Sequence, residues 1–406
     1  MIRAVLLDLD DTLIQTGDEP FLARSLRLIS ARVEGMSPPE AFVSHGLAAM
    51  QASQDNRDPT TTLSEFFFSD LHERLGCPPN SLTPAFETFH ESDLASLRPY
   101  ASTQPIALDL VRWLRDLEYT LVLAADPSIH RHTIDMRLRW SGLNPSDFQF
   151  VAALGSMHFA KPHARYYDEI LARVDVRPQE ALMVGDDWEG DVQAAASAGL
   201  NTFWVTDRGD APAGFAPDGQ GTLEDLLRMA RDEDWLESLR PRQRDWPSYL
   251  VNALGTLAAI DSLLREADPD SVVHCPADDA WSVRDAICHL RDHETEVDRP
   301  RLQQVLEEDD PFISATNYNP RAHSHEYSEE DAHEALRTFA ERRAETIAML
   351  EDLPANAWER PARHSVFGPT TLGELVKFMA DHDRIHLRQM RDALAASRKS
   401  IDEVPS

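Results

Sequence analysis

Residues 3–12 read RAVLLDLDDT, a short, nearly continuous apolar run that breaks into acids at Asp8 and Asp10. A strand buried on both faces reads this way when it ends at an active-site edge. Similar runs recur at 119–125 (YTLVLAA), 181–185 (ALMVG) and 202–205 (TFWV). Helical patterns lie between them at 105–117, 163–174 and 190–199. Strands alternating with helices predict a parallel, doubly wound α/β sheet.

Between the first two strands, roughly residues 16–95 form an insertion far longer than an ordinary crossover. SLRLISARVEG, PPEAFVSHGLAAMQAS and LSEFFFSDLHERLG are its candidate helices. The expectation is a small helical subdomain over the strand ends. The composition of 207–221 shifts to Asp, Gly, Pro and Ala and closes the first unit; a helix over 222–239 follows. From about residue 247 onward no strand signal is convincing. Helical segments at 247–267, 282–308, 328–352 and 371–396 predict a four-helix bundle, with Ser282 and Thr371 as N-caps. The boundaries expected are 1–232 for the α/β unit, 233–244 for a linker and 245–398 for the bundle.

Composition removes several function classes. The 406 residues carry 39 Lys and Arg against 70 Asp and Glu, a formal net charge of -31. No basic run offsets it, so nucleic acid and anionic membrane surfaces are excluded as partners. No apolar stretch approaches the roughly 18 residues that a membrane span needs. The first residues, MIRAVLLDLDDTL, meet acids too early for a secretory signal. Cys77, Cys275 and Cys288 form no CxxC and no even framework, which fits a reducing compartment, and a cytoplasmic location is expected.

Two constellations carry chemistry. In the first, Asp8 and Asp10 leave one strand, Asp186, Asp187 and Asp191 follow another in VGDDWEGD, and Lys161 stands between them in FAKP. Open α/β sheets bind ligands at that edge. Several carboxylates converging there repel one another without a cation, and hard oxygen ligands suit Mg2+.

DLDDT at 8–12, Lys161 with Pro162, and GDD followed by Asp191 resemble, in order and spacing, motifs of the haloacid dehalogenase-like superfamily. The resemblance covers roughly residues 1–232, and the insertion falls where that family carries a C1-type cap. It implies Asp8 as nucleophile, forming an aspartyl-phosphate, and Asp10 as general acid and then base. It further implies Thr12 as support for their loop and Lys161 as the group that offsets charge. Mg2+ would be held by Asp8, the Asp10 main-chain carbonyl and Asp186 or Asp187, while Asp191 would orient Lys161. The implied reaction is hydrolysis of a small phosphorylated metabolite. One departure stands out: Ala125 occupies the place where the family has a Ser or Thr hydroxyl on a phosphoryl oxygen. Losing one such donor costs on the order of 100-fold in rate. A rival reading therefore makes this unit a catalytically degenerate binding module. A haloacid dehalogenase proper is disfavoured by the GDD acids, which attack on carbon does not need. His130 and His132, after this strand, read as loop residues, with a substrate role as the alternative.

In the second constellation, His382 and His386 lie four apart in ELVKFMADHDRIHLRQM, on one helical face. His289 lies on another helix of the same bundle, in WSVRDAICHLRDHE. Three neutral imidazoles with open positions describe a reactive metal centre. These segments resemble the DinB-like family of metal-binding four-helix bundles over about 245–398. That resemblance implies His289, His382 and His386 as ligands of zinc or nickel, with manganese or iron also compatible. It implies a low-molecular-weight thiol as a candidate reactant in an S-transferase or hydrolase reaction. His293, one turn beyond His289, reads as a solvated face with a role supporting the metal ligands as the alternative, His323 and His325 as loop residues with a fourth-ligand role as the alternative, and Cys288 as a buried core thiol. Oligomeric state is left open.

Overall fold

The apolar runs become the centre of a six-stranded parallel sheet in the computed structural model, which describes residues 1–17, 19–33, 35–207, 209, 211–212, 214–242, 244–277, 280–315 and 327–402. Its strands are β1 (Ala4–Leu7), β2 (Thr120–Leu123), β3 (Phe150–Val151), β4 (Ala181–Gly185), β5 (Asn201–Val205) and β6 (Gly219–Gly221). Their order is β3-β2-β1-β4-β5-β6, so the direction of winding reverses at β1. Ligands of such sheets bind beyond the carboxyl ends of the strands at that reversal. Leu7 is in register with Leu123 on one side and Val184 on the other. Asp8, Ala124 and Gly185 therefore leave the sheet side by side. All four residues of β1 and all five of β4 are buried, as helices on both faces require.

The insertion is helical: Phe21–Ser30, Pro39–Gln54, Leu63–Leu75 and Thr83–Thr88, the last continuing through irregular turns to Tyr100. A two-residue antiparallel pairing, Ile14 with Thr103 and Gln15 with Ser102, ties its ends together. The third helix starts on a Thr62–Glu65 capping box and stops at Gly76, whose φ of 61° suits glycine. Further on, the expected helix over 222–239 is two pieces, Leu223–Asp232 and Trp235–Ser238, broken where Asp234 turns left-handed at φ 48°.

By contact the chain divides into two compact units, Met1–Gln243 and Arg244–Ser406. In the second, Trp246–Glu266, Val283–His293, Ala332–Leu350 and Leu372–Asp402 pack as four long helices. Ser282 caps the second of them with a capping box, and Thr371 exchanges the same pair of bonds with Glu374. The expected helix 282–308 runs from Val283 to Glu307 and widens by one turn at Glu294–Asp298 before tightening again at Arg299–Glu307. Leu250, Ile313, Trp358, Val376 and Met379 build part of the core. A fully buried Arg343 joins the helices through Glu294 at 3.0 Å and Asp383 at 2.7 Å. This unit also has strands that the sequence reading did not expect. Phe312–Ile313, Pro361–His364 and Gly368–Thr371 form a three-stranded sheet. At two to four residues, with Pro and Gly among them, they are too short to show a period.

Cys77, Cys275 and Cys288 are free thiols. Cys288 is buried, and burial pushes its thiol up to about 12, as suits a core position. Among the described residues no helix is long and apolar enough to cross a membrane.

Candidate functional site

Asp8 is the first residue past β1, and its amide donates to the Val184 carbonyl at 3.0 Å. Lys161 reaches it from the segment after β3, with Nζ at 2.7 Å from Asp8 Oδ1 and 2.5 Å from Asp191 Oδ1. Thr12 Oγ1 donates to Asp186 Oδ1 at 3.1 Å and so links the loop after β1 to the loop after β4. The Trp204 indole holds the Asp186 carbonyl at 3.0 Å. Gly185 is required here, because a Cβ would stand 2.1 Å from Asp191 Oδ2.

Carboxylate oxygens of Asp8, Asp186 and Asp191 lie within 4.8 Å of one another. Burial raises Asp8 to about 8, with Lys161 opposing the rise and Asp191 adding to it. Burial and the nearby Asp8 raise Asp186 to about 7, and burial raises Asp191 to about 6 against the pull of Lys161. Burial pulls on the Lys161 ammonium too, but Asp191 and Asp8 outweigh it and hold the lysine well above its ordinary value. One ammonium is too little charge for three carboxylates. The donor set is all oxygen, so a hard divalent cation such as Mg2+ fits it.

The other two acids are placed differently. Asp187 is exposed, and its carboxylate caps the next turn by accepting from the Glu189 amide at 3.2 Å. Asp10 faces Arg137, whose guanidinium engages both carboxylate oxygens, one of them at 3.2 Å. Arg137 is fully buried on the helix Arg131–Trp140 and lies 4.2 Å over the Phe21 ring. The sequence reading missed it, since RHTIDMRLRW looks like a basic, solvated helix. Tyr166 and Tyr167 were missed as well; their hydroxyls donate to the carbonyls of Ala125 and Gly190, each at 2.7 Å. Ala125 is buried and offers no side-chain donor, and Ser128 hydrogen-bonds its neighbour Asp126.

In the helical unit, His289, His382 and His386 come together with nitrogens within 4.8 Å of one another. His386 Nε2 is 3.0 Å from His382 Nε2, and His386 Nδ1 is 2.9 Å from Gln389 Oε1. Trp281 stacks on the His386 ring, with planes 2° apart and centroids at 5.4 Å. His289 Nε2 and His382 Nδ1 are buried without a hydrogen-bond partner among the described residues. Burial, joined by the neighbouring imidazoles, depresses His289 and His382 to about 2. Burial depresses His386 to about 4, with Gln389 opposing. Neutral rings with orphaned nitrogens fit an imidazole-ligated transition metal.

His293 is not on a solvated face. Its ring centroid is 4.4 Å from that of His382, and its Nδ1 is 2.9 Å from Asp298 Oδ2. His293, Asp298 and His382 form a second group of convergent ligand atoms. They line a cavity of about 180 Å3 with Arg301, His364 and Phe367. In the first unit, His130 and His132 do more than fill a loop: both rings contact His90, with centroids at 5.2 and 5.9 Å. His323 and His325 lie outside the described residues.

Comparison with known proteins agrees with this division. A family model for haloacid dehalogenase-like hydrolases matches residues 2–199, and one for the DinB superfamily matches residues 252–390. A glyceraldehyde 3-phosphate phosphatase of Pyrococcus abyssi is 27% identical over 220 residues, which is 50% of this chain and 81% of the relative. The pyrophosphatase PpaX of Anoxybacillus flavithermus is 27% identical over 232 residues, 56% of this chain and 96% of the relative. Among solved structures, YfiT from Bacillus subtilis, a four-helix bundle of unusual topology, is 18% identical with a TM-score of 0.34, covering 40% of this chain and 93% of its own. The chain thus joins a haloacid dehalogenase-like hydrolase over residues 2–199 to a member of the DinB superfamily over residues 252–390.

Proposed function

We propose that the N-terminal unit is a Mg2+-dependent phosphohydrolase that works through an aspartyl-phosphate on Asp8. The observation that carries this reading is the Asp8 carboxylate at the strand reversal, 2.7 Å from Lys161 and grouped with Asp186 and Asp191. Relatives named as phosphatases at low identity support it. An Asp8 oxygen attacks phosphorus and the ester oxygen leaves, taking a proton from Asp10. Water then attacks the same phosphorus, giving its proton to Asp10 and returning Asp8 as carboxylate. Asp10 meets the guanidinium of Arg137 through both oxygens, so proton delivery requires its carboxyl to turn out of that pair. Lys161 offsets the charge on Asp8 and is itself oriented by Asp191. Asp8, the Asp10 main-chain carbonyl and Asp186 would hold Mg2+, while Asp187 serves the turn that follows. The ion, when bound, neutralises charge on the transferring phosphoryl group.

In the helical unit, His289, His382 and His386 would hold zinc or nickel, which supplies Lewis acidity and a reactive bound ligand. The domain boundaries that go with this reading are 1–232 and 245–398.

Hydrolysis of p-nitrophenyl phosphate with Mg2+, wild type against Asp8→Asn, tests the first activity. Turnover that disappears in the variant is expected. A second reading, a binding module without turnover, is favoured by the missing hydroxyl at Ala125. Equal background rates in both proteins would favour that second reading.

A further inference from the structure

Beside the acid cluster, the helical insertion and the loop after β2 enclose a cavity of about 240 Å3. Leu26, Ile29, Phe67, Phe68, Phe86 and Ile129 supply its apolar walls. The three phenylalanines meet edge to face, Phe68 at 5.1 Å from Phe67 and 5.0 Å from Phe86 between centroids. An apolar cavity of roughly 150 Å3 takes up benzene. This one has room for a ring and a short linker.

The cavity is tied to the acids by the segment between residues 125 and 137. Ser128, on its wall, hydrogen-bonds Asp126, which lies within electrostatic reach of Lys161 and Asp10. Thr133, also on its wall, is one helical turn before Arg137, the partner of Asp10. Charge is nearly absent. Among the described residues no lysine or arginine lines the cavity, and Glu87 is its one carboxylate. Burial and the neighbouring His130 and His132 depress His90 to about 4, and burial lowers His130 too, so the imidazoles on the wall are neutral at pH 7. A second phosphate or a carboxylate entering this space would lose water without finding a cation, since the wall's hydroxyls, at Ser25, Ser64, Thr83, Ser128 and Thr133, are neutral donors.

We propose that this cavity receives an uncharged apolar group about the size of an aromatic ring, carried on the alcohol side of the phosphate ester. The unit then selects monoesters of apolar alcohols over pyrophosphate, phosphorylated polyols and phosphoamino acids. This rests on the phosphohydrolase reading and names its substrate class.

Two measurements on the full chain with Mg2+ separate the two ideas. The first compares kcat/KM for benzyl phosphate and glycerol 3-phosphate, both esters of alcohols. Burying a ring is expected to favour the benzyl ester by about tenfold or more. The second compares binding of benzylphosphonate and methylphosphonate by calorimetry, where the same preference is expected without turnover. Ser64→Phe, which puts a ring into the cavity from its helical wall, should remove both preferences and leave glycerol 3-phosphate turnover unchanged. Phe68→Ala, which strips a wall, should weaken both by several-fold if the filling variant does not fold. Tight benzylphosphonate binding with no turnover of any ester would keep the cavity assignment and overturn the phosphohydrolase. Turnover that is equal for both esters, with equal phosphonate affinities, would overturn the cavity assignment and keep the phosphohydrolase. Failure to bind either phosphonate would overturn the cavity assignment as well.

Discussion

Arg137, fully buried on its helix, spends its charge on Asp10, a carboxylate 39% exposed at the edge of the acid cluster. The pair joins the loop after β1 to the helix that follows β2. A buried guanidinium is tolerable because a carboxylate meets it on one side and the Phe21 ring on the other. Its Nε has no hydrogen-bond partner among the described residues, so its charge depends all the more on Asp10.

Asp10→Asn should therefore destabilise the fold as well as remove activity. Breaking such a pair costs on the order of 1–3 kcal/mol, below the fully buried case because Asp10 is partly solvated. Asp8→Asn, which leaves Arg137 paired, should be close to neutral in stability. Arg137→Met combined with Asp10→Asn should recover much of the loss, because no unpaired charge is then left buried. Thermal unfolding of the four proteins checks this. An Asp10→Asn protein as stable as wild type would mean the pair adds nothing to the fold.

Ala125→Ser supplies the hydroxyl that the loop after β2 lacks. It follows Ala124, the residue level with Asp8 across the strand ends, and so puts one more donor near the transferring phosphoryl group. Oxyanion-type donors are worth about 100-fold or more in kcat, so a rise of at least about tenfold is expected with p-nitrophenyl phosphate. An unchanged kcat would indicate that Asp126, the Ala125 amide or Lys161 already fills that role.

The acid cluster sets a pH dependence of definite sign. Asp8 and Asp186 are raised to about 8 and about 7, chiefly by burial. Above about pH 4 the folded, metal-free unit thus holds more protons than the unfolded chain, and its stability falls as pH rises from about 4 to about 8. Mg2+ should therefore raise the Tm more at pH 8 than at pH 5. Asp186→Asn should flatten the metal-free decline and shrink the Mg2+ response. Scanning calorimetry with Mg2+ and with chelator reads both effects; a Mg2+ response that is the same at the two pH values would contradict the cluster.

Some of this was legible from residue types and spacing. Asp8 and Asp186 stand at strand exits, where apolar runs break into charge, and the helical face shared by His382 and His386 follows from their separation; Lys161, ten residues past the strand Phe150–Val151, stood out only through the resemblance of its FAKP segment. Arg137 and His293 were not legible for one reason: an arginine or histidine on a polar helix looks solvated until the packing partner is known. Asp298, five residues past His293, meets it only because the helix widens into a turn at Glu294–Asp298. The strands Pro361–His364 and Gly368–Thr371 were hidden by their brevity. The apolar cavity was hidden because Leu26, Phe68, Phe86 and Ile129 come from separate segments that each look like ordinary core.

The histidine centre carries the opposite pH sign. With His289, His382 and His386 depressed below 6.5, chiefly by burial, the folded helical unit holds fewer protons than the unfolded chain in acid. Its stability is fully present above about pH 6.5 and is lost as pH falls through that value toward about 4. Protons also compete weakly for these nitrogens, so bound zinc should survive dialysis at pH 5, where an ordinary imidazole is mostly protonated. His386→Ala should abolish stoichiometric zinc, while Asp8→Asn should leave it in place because the two centres share no ligand. Gln389→Ala is the finer test. Gln389 fixes the His386 ring through Nδ1 at 2.9 Å, and removing such an orienting partner typically weakens metal affinity by about 10- to 100-fold. Elemental analysis and competition with a zinc chelator measure these outcomes. Undiminished zinc in His386→Ala would remove the three-histidine centre from consideration, whereas full affinity in Gln389→Ala alone would show that Trp281 stacking suffices to orient the ring.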